Sequence, residues 1–109
     1  MPKVKVAKVN DIPPGTKKSL KASKTRVLIA NVDGKFYGVQ SVCTHHANPL
    51  FEGKLKGNVL WCSNHFASFD VITGKVLSPP QGSDYLKIDA LKTYPVKVEG
   101  SDIVVEVPE

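Results

Sequence analysis

The feature of this sequence that most constrains its fold is a two-residue alternation of apolar and polar side chains, broken by turn signals about every eight to twelve residues. No stretch shows the 3.6-residue period of an amphipathic helix. The clearest strands are 26–32 and 35–40, which flank the hairpin dipeptide Asp33-Gly34. The pattern predicts an all-β fold, an antiparallel sandwich or barrel.

Other segments fit the same pattern less strongly. Pro13-Pro14-Gly15 breaks the chain after the first candidate strand, and 109 residues suit a single domain spanning 1–109. Residues 17–24 are polar and ambiguous, and 84–91 are compatible with a short helical turn or an irregular strand. Further candidate strands are 4–9, 58–61, 69–72, 75–77, 94–99 and 103–107.

The charge balance is basic: 15 Lys and Arg face 10 Asp and Glu, a formal charge of +5. A positive surface favours acidic partners, either protein or nucleic acid. Because the lysines are scattered along the chain, we interpret the charge as a contribution to solubility and disfavour nucleic-acid binding. No apolar run is long enough to span a bilayer, and the N-terminus lacks a signal-peptide pattern. We therefore expect a soluble, cytoplasmic protein with no membrane partner.

The cysteines and histidines form a spaced pattern. Cys43-Thr44-His45 and Cys62-Ser63-Asn64-His65 are separated by 16 residues, and the segments that carry them, 43–54 and 62–68, have the poorest strand signal after residue 40. One Cys and one His in each segment can converge on a single centre from two directions. Such thiolate and imidazole ligands suit zinc or an iron–sulfur cluster.

This spacing resembles that of Rieske proteins, in which two His replace two Cys on one iron of a 2Fe–2S cluster. The resemblance implies a Rieske fold with a cluster-binding subdomain at about 43–80. It further implies that Cys43 and Cys62 bind the inner iron and that His45 and His65 bind the outer iron through Nδ1. Beyond these ligands it extends to Leu50, Glu52-Gly53, Phe69-Asp70, Thr73-Gly74-Lys75-Val76, Pro79-Pro80 and the strands at 94–107.

The chain is similar to the ferredoxin-like branch of that family. Asn48 and Asn64 stand where disulfide-containing members have extra cysteines. Phe66-Ala67-Ser68-Phe69 replaces a Gly-Ser-x-Tyr run whose hydroxyls donate hydrogen bonds at the cluster of high-potential members. The resemblance implies a one-electron carrier, not an enzyme, that takes electrons from a reductase and passes them to an oxygenase or another redox enzyme. Its potential is expected near the lower end of the Rieske range, roughly −150 mV.

Other interpretations of the same residues stay open. A structural Cys₂His₂ zinc site would need a different ligand spacing, and a Cys–His nucleophile would need an orienting carboxylate. At the level of function, the alternatives are a permanently bound Rieske subunit of a larger oxidoreductase and a zinc-stabilised, basic nucleic-acid-binding β domain.

The residues around the four ligands have predictions of their own. His46 is expected on the surface, and Trp61 in the core. Pro79-Pro80 is interpreted as a rigid cover over the cluster or as a surface turn. Leu50, Phe51, Phe66 and Phe69 are interpreted as a hydrophobic collar at the cluster or as ordinary packing.

Overall fold

The computed structural model describes residues 3–41, 53–61, 68–78 and 90–107. Within these ranges the chain forms β-strands and one short 3₁₀ helix, with no α-helix. No helix of the described residues is long and apolar enough to cross a membrane. The elements in chain order are β1 (Lys3–Lys8), a 3₁₀ helix (Val9–Asp11), β2 (Lys17–Ala22), β3 (Thr25–Val32), β4 (Lys35–Gln40), β5 (Leu55–Lys56), β6 (Val59–Trp61), β7 (Ser68–Asp70), β8 (Val76–Ser78), β9 (Thr93–Tyr94), β10 (Val96–Glu99) and β11 (Asp102–Glu106).

The strands form three antiparallel sheets. The central sheet has the order β2-β3-β4-β9, the outer sheet β1-β11-β10, and the small sheet β5-β6-β7-β8. Strand β3 is buried on both faces, because its successive side chains point into two different hydrophobic clusters. Leu28 packs with Leu60 and Phe69 of the small sheet. Val27 packs with Ile103 of the outer sheet. The central sheet therefore lies between the other two.

The β3–β4 hairpin turns at Asp33-Gly34, as predicted, with φ angles of +53° and +92°. Two consecutive positive φ angles fit the twist of a two-residue hairpin. The buried Asn31 side chain holds the hairpin in place: its Nδ2 donates to Ile12 O at 2.8 Å, and its Oδ1 accepts from Gly34 N at 2.8 Å.

The all-β prediction is confirmed, and the strands at 35–40 and 26–32 are found within one residue of their predicted bounds. The predicted strand at 94–99 is wrong in one respect, because the chain changes sheets at Pro95: β9 pairs with β4, and β10 pairs with β11. Proline has no N–H to continue a ladder. The absence of a side chain at Gly38 leaves room for Val96, since a Cβ at position 38 would lie 3.0 Å from Val96 Cγ2.

Three smaller differences concern strand limits. The ambiguous polar segment at 17–24 contains an edge strand, β2. Val9 belongs to the 3₁₀ helix instead of the first strand, and Ile72 lies in the turn after β7. Within the segment at 84–91, only residues 90 and 91 are described, and they lie outside any strand or helix.

Candidate metal centre

The predicted ligands Cys43, His45, Cys62 and His65 lie outside the described residues, as does His46. Three internal segments of the chain are outside: the first at 42–52, the second at 62–67 and the third at 79–89. Together the first and second segments contain every cysteine and histidine of the sequence. In the part of the chain that the structure describes, no group of three or more His, Cys, Asp and Glu side chains could hold a metal. The framework around the site is defined by the residues at which these segments begin and end.

The second segment, with Cys62 and His65, connects two strands that pair directly. β6 ends at Trp61 and β7 begins at Ser68, and these two residues are cross-strand partners. The neighbouring partners Leu60 and Phe69 are fully buried. The residues before and after the segment therefore lie side by side at one end of the small sheet, next to the buried pair Leu60 and Phe69.

The first segment, with Cys43 and His45, returns to the same end of the small sheet. After it, the backbone oxygen of Lys54 accepts a hydrogen bond of 2.8 Å from the backbone N–H of Trp61. The next pair in this ladder joins Leu55 to Leu60. The end of the first segment thus lies beside the start of the second.

The third segment is tied to the same region at both of its ends. It begins after Ser78, whose cross-strand partner is Ser68. It ends before Lys92, which forms two hydrogen bonds with Gln40: Gln40 N donates to Lys92 O at 2.9 Å, and Lys92 N donates to Gln40 Oε1 at 2.7 Å. Gln40 is the last residue of β4, shortly before the first segment. All three segments are therefore anchored by backbone pairs of the central and small sheets.

Gln40 and Gly74 are positioning residues. The sequence did not single out Gln40, and it singled out Gly74 only within the run Thr73–Val76. The Gln40 side chain closes a contact across 52 positions, which no local pattern reveals. Gly74 has a φ of +80°, its carbonyl accepts from Leu91 N at 2.8 Å, and a Cβ at this position would overlap Leu91 O. A glycine after a threonine predicts only a turn. Nothing in the sequence shows that the backbone at Leu91 packs against Gly74.

The aromatic predictions have mixed outcomes. Phe69 is fully buried in the core formed with the central sheet, which fits ordinary packing. Trp61, predicted in the core, is only half-buried at the end of β6. Leu50, Phe51, Phe66 and Pro79-Pro80 lie outside the described residues.

Comparison with known proteins adds two independent findings. A family model described as the Rieske [2Fe-2S] domain matches residues 2–105. The chain is 41% identical over 103 residues to the biphenyl dioxygenase ferredoxin subunit of Pseudomonas sp. (strain KKS102), covering 94% of this chain and 89% of that protein. It is 36% identical over 110 residues to the 3-phenylpropionate/cinnamic acid dioxygenase ferredoxin subunit of Shigella boydii serotype 4 (strain Sb227), covering 100% of this chain and 97% of that one.

Solved structures show the same architecture. The ferredoxin of Sphingomonas yanoikuyae B1 superposes with a TM-score of 0.83 at 26% identity, over 98% of this chain and 100% of that chain. A chain in a complex of reduced oxygenase and oxidized ferredoxin in carbazole 1,9a-dioxygenase gives a TM-score of 0.84 at 29% identity, over 94% of this chain and 91% of that chain.

Proposed function

This chain belongs to the Rieske [2Fe-2S] domain family, and we propose that it carries single electrons from a reductase to the terminal oxygenase of a dioxygenase system. It is an electron-transfer protein of the ferredoxin type and not an enzyme. The observation that carries the proposal is the family match over residues 2–105, which spans every Cys and His of the chain. The cytoplasmic location stays a prediction from the sequence, as does a single domain with a cluster-binding subdomain at about 43–80.

The proposed ligands are Cys43 and Cys62 on one iron and His45 and His65 on the other. They fit a Rieske cluster by their chemistry, because two thiolates and two neutral imidazoles make the donor set that raises the potential above that of an all-cysteine cluster. When bound, such a cluster supplies reversible one-electron transfer. The small sheet supports this assignment, since the Lys54–Trp61 hydrogen bond and the Trp61–Ser68 pair bring the described residue after the first segment beside both residues that flank the second.

We also propose a potential near the lower end of the Rieske range, roughly −150 mV. Hydrogen-bond donors to the cluster sulfurs stabilise the more negative reduced state. Where high-potential members carry a tyrosine, this chain has Phe69, which has no hydroxyl and is fully buried in the core. The resemblance also places Ala67 where those members have a serine.

The test of the ligand assignment is spectroscopic. We expect the protein, purified without added metal, to contain about two irons and two sulfides per chain and to give a rhombic low-temperature EPR signal of low average g after dithionite reduction. Cys43→Ser and His65→Ala should each abolish that signal. His46→Ala, which alters the residue next to a proposed ligand, is the matched control and should keep it. Colourless protein with stoichiometric zinc would refute the proposal.

The carrier role is tested by electron delivery. Reduced protein mixed with the oxygenase component of a biphenyl dioxygenase in a stopped-flow instrument should be reoxidised as the oxygenase becomes reduced. We expect the two proteins to separate again on a sizing column, because a carrier must dissociate to serve a reductase as well. A stoichiometric complex that survives purification would favour the permanently bound subunit instead.

A further inference from the structure

The net charge of the protein is concentrated on one hairpin. Residues 12–32, which contain β2 and β3, hold five cations and no Asp or Glu. The remaining ten cations equal the ten carboxylate residues, so this segment accounts for the whole formal charge of +5. The lysines are scattered along the chain, but no carboxylate residue lies between Asp11 and Asp33. The five cations are Lys17, Lys18, Lys21, Lys24 and Arg26.

Three of these cations lie on one face of the central sheet. The register pairs Lys17 with Ala30 and Lys21 with Arg26. Directly paired residues of antiparallel strands share a face, and Ala30 belongs to the core that the central and small sheets form together. Lys17, Lys21 and Arg26 therefore flank the small sheet, with Ser19 between the two lysines. We call these four residues the basic stripe.

The basic stripe reaches the end of the central sheet at which the first segment begins. Val27 pairs with Gln40, so Arg26 lies beside the end of β4 at Ser41. In the sequence, Cys43 follows Ser41 by two residues. Arg26 thus lies at the end of the central sheet from which the first segment leaves.

The described structure offers these cations no internal counter-charge. In residues 3–41, 53–61, 68–78 and 90–107, the one ion pair joins Lys5 to Asp102 at 3.2 Å, away from the hairpin. Ser19 Oγ is buried and has no hydrogen-bond partner. Burial lowers the pKa of Lys17, because its ammonium group has lost water. An open cavity of about 320 Å³ is lined by Lys17, Lys18, Ser19 and Arg26.

We propose that the basic stripe is a docking surface for a carboxylate-rich patch on the surface of a redox partner protein. The proposal rests on the proposed electron-carrier function and adds how its partner is recognised. Carboxylates can pair with exposed Lys21 and Arg26 in charge-assisted hydrogen bonds. Because the stripe flanks the predicted cluster end, the same attraction steers the partner toward the place where the electron leaves.

The test reverses charge at two exposed residues and compares two positions in the fold. Lys21→Glu/Arg26→Glu changes the stripe, and Lys35→Glu/Lys75→Glu makes the same change of net charge at exposed residues that follow two other turns, Asp33-Gly34 and 71–73. Lys17 is left unchanged because it is partly buried. The probes are a decaglutamate peptide, for binding, and hexacyanoferrate(III), which takes one electron from the reduced protein and becomes hexacyanoferrate(II).

We expect decaglutamate to shift the backbone NMR signals of the β2–β3 hairpin and to bind at least ~10-fold more weakly to the stripe variant than to the control variant. At low salt, oxidation by hexacyanoferrate(III) should slow by ~10-fold in the stripe variant and by less than ~2-fold in the control. Equal losses in the two variants would show that only net charge matters and would overturn the proposal.

Two other outcomes would also overturn it and can be told apart. Tighter binding of a 16-bp DNA duplex or of phosphatidylglycerol vesicles than of decaglutamate at the same residues would assign the stripe to another class of partner. Protein that lacks iron and sulfide, whatever its peptide binding, would remove the electron-carrier function on which the proposal rests. Iron-containing protein that shows no preference between the two variants would remove only the docking surface.

Discussion

The two sheets that cover the central sheet differ in how they are held together. The outer sheet has strands of four to six residues, and its ladders hold five residue pairs between β1 and β11, with a register shift between Lys5 and Ala7, and four between β10 and β11. The strands of the small sheet are only two or three residues long. Strands that short form too few backbone hydrogen bonds to be stable by themselves. The small sheet must therefore depend on contacts outside its own ladder.

Those contacts are a buried face and one tether. Leu60, Phe69 and Val71 of the small-sheet region are fully buried against the central sheet. The tether joins Gly74, shortly before β8, to Leu91, shortly before β9 of the central sheet. The comparison teaches that the small sheet is positioned by side-chain packing and by a long-range backbone contact.

The largest expected effect comes from truncating one buried aliphatic side chain in each sheet. Leu60→Ala in the small sheet and Ile103→Ala in the outer sheet should each cost about 3 kcal/mol of unfolding free energy, because both side chains are fully buried. Only Leu60→Ala should also lower the iron content per chain, since Leu60 precedes Trp61 at the start of the second segment. Urea unfolding followed by circular dichroism, with iron analysis of the folded protein, measures both quantities.

The two variants control for each other. If general destabilisation were enough to release the cluster, Ile103→Ala would lose as much iron as Leu60→Ala at the same unfolding free energy. That result would break the distinction between a site-bearing sheet and a purely structural one.

The sequence predicted those parts of the molecule that depend on local patterns. The β3–β4 hairpin follows from alternation on both sides of Asp33-Gly34. Strand β2 was not predicted, because an edge strand can carry lysines on both faces. Its sequence therefore lacks the alternation of apolar and polar residues. The change of sheets at Pro95 follows from long-range pairing, which local periodicity does not encode.

The candidate site shows the same division. Its Cys and His pattern can be recognised in the sequence because the Cys and the His of each segment are only two or three positions apart. The tethers that bring the segments together join residues far apart in the chain, such as Gln40 and Lys92, and were not predicted. The assignment of the four ligands stays a prediction, since all of them lie outside the described residues.

An intermediate effect is expected from adding a methyl group at the Gly74 tether. Gly74→Ala should cost about 2 kcal/mol, because its φ is +80° and the new Cβ would overlap Leu91 O. Gly100→Ala, in the β10–β11 turn of the outer sheet, is the matched control. Its φ is +66°, but nothing lies within 4 Å of the added Cβ, so it should cost about 1 kcal/mol. Thermal unfolding of both variants measures the difference, and equal losses would show that the Leu91 contact contributes nothing.

The smallest expected effect concerns pH and the two faces of β2. Burial lowers the pKa of Lys17 below the usual value of about 10.4, so between the two pKa values the unfolded chain binds more protons than the native protein. The stability that Lys17 contributes therefore rises with pH through that window and is lowest below it. Lys17→Met should stabilise the protein most at neutral pH, with a gain that shrinks toward pH 10.5. Lys18→Met, at the exposed neighbouring residue on the opposite face, is the control. Melting temperatures at several pH values test this, and a gain from Lys17→Met that does not change with pH would show that lost packing or net charge, and not the desolvated ammonium group, determines the effect.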